Sequence, residues 1–230
     1  MPSGLAATFL AGERYGEGRR APACLALMLG SIMMLAACGS APSKPEQESK
    51  LPEAAAVQSA PVDAPIPTEA AQQFDSAVAS MHAGNLAAAE QSFRALSDAY
   101  PLYSGALLNL GILQAKAGRL EDAEKTLRTA IDRNANSAAA FNQLGIVYRR
   151  LGRFSQADDA YQRALQIDPN YALAHLNLGV LCDLYLQQPQ RALQSYERYL
   201  ALAVTPDAKV AGWVTELKTR LGNQRSARAQ

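Results

Sequence analysis

The sequence predicts an all-α protein: an α-solenoid of about four stacked helix–turn–helix units, closed by one more helix at the C-terminal end. Three observations carry that expectation. Residues 70–206 resemble themselves at a spacing of 34. The chain is rich in Ala, and Phe, Trp and Tyr make up only 7% of its 230 residues, a composition that suits thin helix-on-helix packing better than a β-sandwich. Gly and Pro recur at the borders of apolar stretches with helical spacing, where helices stop.

The spacing is visible in several registers at once. "LNLG" at 108–111 returns as "NQLG" at 142–145 and "LNLG" at 176–179. Gly111, Gly145 and Gly179 are thus 34 apart, and so are Gly84, Gly118 and Gly152. Ala89, Ala123 and Ala157 keep the same interval, as do Phe93, Leu127 and Tyr161, while Pro101 and Pro169 stand two intervals apart. Each register has a physical reading. Gly or Ala in mid-helix marks a place where two helices come too close for a larger side chain. Gly at a helix end takes a conformation that a Cβ disfavours. Pro ends the second helix and sets the turn to the next unit.

These residues resemble the tetratricopeptide repeat, a helix–turn–helix unit of the same length. The segment "AAAFNQLGIVYRRLGRFSQADDAYQRALQIDPNY" fits best, with Phe141, Leu144, Gly145, Tyr148, Gly152, Ala157, Tyr161, Ala164 and Pro169 in place. The units are set at 70–103, 104–137, 138–171 and 172–206. Three depart from the pattern. Ala77 replaces a Gly in the first, Ala135 a Pro in the second, and the fourth lacks its turn Gly and carries an extra residue in "LYLQQPQRAL". Because no unit buries its own apolar face, the stack needs end covers. Residues 207–221 supply one, with Asp207 as N-cap, Ala211, Val214, Leu217 and Leu221 as the buried stripe, and Trp213 beside it. Residues 222–230 read as a disordered basic tail.

The resemblance implies that the first helix of each unit lines a concave face that binds a peptide or helix. The residues so placed are Phe74, Val78, Leu108, Asn109, Ile112, Lys116, Asn142, Gln143, Ile146, Arg149, Arg150, Leu176, Asn177, Val180 and Asp183. Val78, Ile112, Ile146 and Val180 form the expected apolar floor, the amides are expected to bond a peptide backbone, and the cations sit toward the rim. The carboxylate clamp by which some members hold chaperone C-termini is absent. Its five places hold Phe74, Val78, Asn109, Ala139 and Gln143, and only Asn109 fits.

The N-terminal part places this stack in a cell. Arg19 and Arg20 precede an apolar run from Ala21 to Ala37, and small residues then lead to Cys38. That is the layout of a signal peptide over residues 1–37. "LAAC" at 35–38 resembles the bacterial lipobox, which implies that Cys38 becomes the lipidated first residue, and Gly39 and Ser40 after it imply the periplasmic face of the outer membrane. Acyl chains hold a protein at ~0.8 kcal/mol per buried CH₂, so several chains make the attachment effectively permanent. Residues 38–69 follow as a tether, with six of the twelve prolines falling among residues 39–69 and no apolar period. Such a segment buries too little to offset its ordering entropy. Its 31 residues after Cys38 span ~30 Å as a coil and ~100 Å when straight.

Other function classes are excluded by what the chain carries. A formal charge of +1 gives no bulk attraction to nucleic acid. His82 and His175 are the only histidines; His175 and Cys182, two helical turns apart, are beyond hydrogen-bond reach and read as core. The sequence has no metal-ligand spacing, phosphate loop or nucleophile motif, so no enzyme, cofactor or metal is expected. The expectation is a lipid-anchored interaction scaffold of the envelope whose partner is another protein or peptide. A pilotin-like assistant of pilus secretins is the first setting; an adaptor of peptidoglycan enzymes and an accessory of a TonB–ExbB–ExbD system are alternatives. The rival class is a self-associating structural protein.

Overall fold

The computed structural model describes residues 66–205 and 207–228. The signal segment 1–37, Cys38 and the tether as far as residue 65 lie outside the described residues. The tether's last two residues, Thr68 and Glu69, belong instead to the first helix.

Among the described residues there are helices and no strands. They run α1 Thr68–His82, α2 Leu86–Ala99, α3 Ser104–Lys116, α4 Leu120–Arg133, α5 Ala138–Arg150, α6 Phe154–Ile167, α7 Ala172–Leu184, α8 Pro189–Leu202 and α9 Ala208–Arg228. Consecutive helices pack in antiparallel pairs, α1 on α2 through α7 on α8, and each pair packs on the next. The expected fold class is therefore observed.

The repeated residues do what their types demand. Gly84, Gly118 and Gly152 end α1, α3 and α5 with φ of +82°, +81° and +74°, the left-handed region that glycine enters without cost. Gly111, Gly145 and Gly179 are the close approaches. A Cβ on each would stand 2.7, 2.5 and 2.5 Å from the side chains of Leu127, Tyr161 and Tyr196 on the paired helix. Ala89, Ala123, Ala157 and Ala192 are fully buried at the matching contact. The fourth unit turns without a glycine: Gln187 takes φ of 54° there, and α8 starts one residue late on Pro189.

One further set of contacts crosses the joints between units. Glu90 pairs with Arg119, Glu124 with Arg153 at 2.7 Å, and Asp158 with Arg191 at 2.8 Å. The acids keep the 34-residue spacing; the third cation comes from inside α8 because the turn of the last unit carries Gln187. Asp158 is thus an ion-pair partner across the last joint.

The C-terminal helix covers the end of the stack by packing on α8. Asp207 Oδ1 accepts from the N–H groups of Lys209 and Val210, at 3.0 and 3.2 Å, as an N-cap should. Its buried stripe is Val210, Val214, Leu217 and Leu221, and the Trp213 ring lies 5.4 Å from that of Tyr196. Two expectations are corrected here. Ala211 is exposed and Val210 takes its place. Residues 222–228 continue α9 as helix rather than forming a disordered tail, since Gln, Arg and Ala favour helix and Gly222 alone costs only about 1 kcal/mol.

Candidate functional site

The stack has two unlike sides. α3 touches α5 and α5 touches α7, whereas among the described residues no two of the second helices, α2, α4, α6 and α8, meet to a comparable extent. The layer whose members touch is the inner side of the curve. The first helices therefore line it, as the resemblance implied.

That closeness changes the character of the expected floor. Ile112, Ile146 and Val180 are only 8%, 7% and 6% exposed, because neighbouring inner helices close over them. They line the core and are not an open strip. Val78 on α1 remains partly exposed, in the unit whose inner helix stands farther from its neighbour. Phe74 is likewise partly exposed, packed edge-on against Phe93 with centroids 5.5 Å apart.

The amides are corrected in the same sense. Asn142 is fully buried and Gln143 is 4% exposed. Asn142 Oδ1 accepts from Asn177 Nδ2 at 3.0 Å, and Asn109 Nδ2 donates to its own helix at Gly105 O, 3.0 Å away. Asn142 and Asn177 thus tie α5 to α7 within the inner layer, whereas Asn109 is satisfied within α3. Burial pushes the Tyr171 hydroxyl pKa up, while its hydrogen bond with Asn142 acts the other way. Leu108 and Leu176 stay partly exposed on the inner face, each one turn before a buried floor residue.

The charged members separate as well. Asp183 pairs with Arg220 of α9 at 2.7 Å. The exposed Arg150 reaches back one unit and donates to the carbonyl of Ala115. Lys116 is partly exposed at the end of α3. Arg149 behaves differently from all of these. Its Nε is buried with no hydrogen-bond partner, and its guanidinium carbon lies 6.0 Å from the centroid of the Tyr185 ring. Tyr185 in turn stacks on Phe154 at 4.7 Å. Sequence reading named Arg149 but missed Tyr185 and Phe154. The available signal was the extra residue in "LYLQQPQ", which displaces the end of α7 from the regular pattern.

His175 and Cys182 are engaged separately rather than with each other. His175 Nε2 is 3.0 Å from Pro169 O. Cys182 is buried, and burial pushes its thiol pKa up to about 11. Among the described residues no cluster of His, Cys, Asp and Glu is arranged to hold a metal ion, and no helix is long and apolar enough to cross a membrane.

Comparison with known proteins agrees with this geometry. Two family profiles, both described as tetratricopeptide repeat, match residues 138–171 and 80–144. No curated protein matches the chain by sequence at a significant level. Among solved structures, PilF of Pseudomonas aeruginosa is similar, at 20% identity and a TM-score of 0.61, over 70% of this chain and 72% of PilF. A thermophilic tetratricopeptide-repeat protein of Thermus thermophilus is similar at 24% identity and 0.56, over 70% and 87% of the two chains. MamA is similar at 23% and 0.55, over 64% and 84%. At these identities the likeness is one of fold. Repeats of this kind are scaffolds for protein–protein interaction and are generally not catalytic. On its repeat registers, its paired helices and both profiles, the chain carries tetratricopeptide repeats over residues 80–171.

Proposed function

We propose that the chain is a non-enzymatic adaptor of the cell envelope, anchored by lipid at Cys38, that holds a peptide or helix of a partner protein against its inner helix layer. One observation carries the binding part of this reading. Leu108 and Leu176 remain partly exposed on a layer where Ile112, Ile146 and Val180 are buried, and apolar groups left uncovered in register are what a partner helix uses as anchors. The anchored part is supported by the run ending in "LAAC". A tether of ~30 Å as a coil lets the repeats search the space beside the membrane.

The test has two arms. Cys38→Ser should move the chain from outer-membrane vesicles to the soluble periplasmic fraction; retention in the membrane rejects the anchor. Leu108→Lys with Leu176→Lys should abolish partner recovery after crosslinking in whole cells while the circular-dichroism spectrum stays the same. Undiminished recovery rejects the inner layer as the binding face. Within this role we place assistance in assembling an envelope machine such as a pilus secretin. Deleting the chain should then lower the amount of detergent-resistant secretin multimer, and an unchanged amount removes that setting.

A further inference from the structure

We propose that Arg149, with Tyr161 and Tyr185, forms a receptor for a carboxylate at the joint between the third and fourth units, and that it takes an acidic side chain or chain end of the partner polypeptide. The inference rests on reading the inner layer as the partner face, and it names a chemical group that face selects.

The first support is a half-buried charge that has no ion-pair partner. Arg149 stands in the last turn of α5, where the two preceding units have Met81 and Ala115. Its Nε is buried and lacks a partner, yet among the described residues it makes no ion pair. The acids that could have neutralised it are engaged elsewhere: Asp158 with Arg191, Asp183 with Arg220 and Glu124 with Arg153. The groups acting on it are the side chains of Tyr161 and Tyr185. A guanidinium partly withdrawn from water without a counter-charge loses hydration that no partner charge restores. The arrangement leaves it ready to gain from an arriving oxyanion in surroundings where charge pairs act strongly.

The second support is the way the sequence builds the place. Gly145 lets the Tyr161 ring cross α5 closely enough to run one turn below Arg149. On the other side, α7 ends at Leu184, and the irregular turn with Gln187 at positive φ sets Tyr185 over the guanidinium. The regular units carry Ala83, Ala117 and Leu151 where this tyrosine stands. Only the departing unit brings a hydroxyl and an aromatic face to the cation.

The third support is access. Tyr185 is 40% exposed and its chain neighbour Leu184 49%, so this aromatic face reaches the surface, with the Phe154 ring stacked beside it as an apolar border. Arginine's planar fork matches a carboxylate by two parallel hydrogen bonds. The apolar border favours an acidic residue beside a large apolar one in a polypeptide over a free, fully hydrated phosphate.

The test uses the full chain in detergent micelles with its arginines labelled at Nε, read by nuclear magnetic resonance. Two capped dipeptides serve as probes, acetyl-Leu-Glu-amide and its acetyl-Leu-Gln-amide twin, with inorganic phosphate as a third. The Glu probe should shift the Arg149 resonance saturably and bind at least about tenfold more tightly than the Gln twin. Arg149→Gln should remove that preference with helicity unchanged, and Tyr185→Ala should weaken it. Equal binding of the twins, or an Arg149 signal that stays still, overturns the proposal whether or not the variants fold. Phosphate shifting the signal while the Glu probe does not overturns the carboxylate assignment. Partner adducts elsewhere on the inner layer with no preference for Glu over Gln would reject this site and spare the proposed function.

Discussion

A Cβ on Gly145 would stand 2.5 Å from Cε1 of Tyr161, closer than real carbon atoms approach. The pair α5–α6 is spaced by that contact, because the ring is fully buried and has nowhere to retreat. Gly145→Ala should therefore destabilise the stack by about 1–3 kcal/mol, the usual cost of overpacking. Tyr161→Leu in the same chain should recover part of the loss, so that the two substitutions cost less together than their sum. Chemical denaturation of the four chains of this cycle measures it.

Gly152 supplies the contrast. Its φ is +74° and nothing lies within 4 Å of where a Cβ would stand. Gly152→Ala should cost about 1–2 kcal/mol through left-handed backbone strain alone, and Tyr161→Leu should not alter that cost. Both glycines recur at the same interval, yet only one penalty depends on the facing side chain.

The joints between units should respond to salt. Glu124 and Arg153 are 2.7 Å apart with side chains 15% and 43% exposed, so the pair contributes roughly 0.2–1 kcal/mol. A double-mutant cycle of Glu124→Gln and Arg153→Gln should give a coupling in that range at low salt. At about 1 M salt, where charges are screened within ~3 Å, it should shrink.

The end cover depends on its cap. Asp207→Ala removes the acceptor of two helix N–H groups and should cost ~0.5–2 kcal/mol. Amide hydrogen exchange should quicken in the first turn of α9 before it does in α5 or α6.

Cys182 gives a pH test with a definite sign. Its thiol pKa is pushed up by burial to about 11, above the ordinary thiol value of 9.0. The folded state favours the neutral thiol, so that contribution is complete below the unfolded pKa and is lost as pH rises from about 9 toward 11. Stability measured across that window should fall less steeply in Cys182→Ala. At a pH of about 8, below both values, a thiol reagent should label the folded chain far more slowly than the unfolded one.

How much of this was legible in the sequence depends on how local each cause is. Gly84, Gly118 and Gly152 announce their turns because backbone conformation is a property of one residue and its neighbours. Asp207 announces its cap for the same reason. The close approaches at Gly111, Gly145 and Gly179 could be read because the residue facing each glycine repeats with it. Burial of Ile112 and Ile146 was not legible. It depends on how tightly one unit closes on the next, which no single unit encodes. The surroundings of Arg149 were hidden likewise, since Tyr185 reaches it only through an irregular turn at the far end of the next inner helix. The helical continuation past Leu221 was missed by treating basic, polar composition as disorder although its residues favour helix.

Whether the inner helix layer is the partner face can be decided by site-specific photocrosslinking in whole cells. A benzophenone amino acid placed at Leu108 or Leu176 should give a discrete covalent adduct with a partner polypeptide. The same group at Arg128 or Gln162, exposed on the second helices, should give none. Adducts from Arg128 or Gln162 with none from Leu108 or Leu176 would contradict the inner-layer assignment.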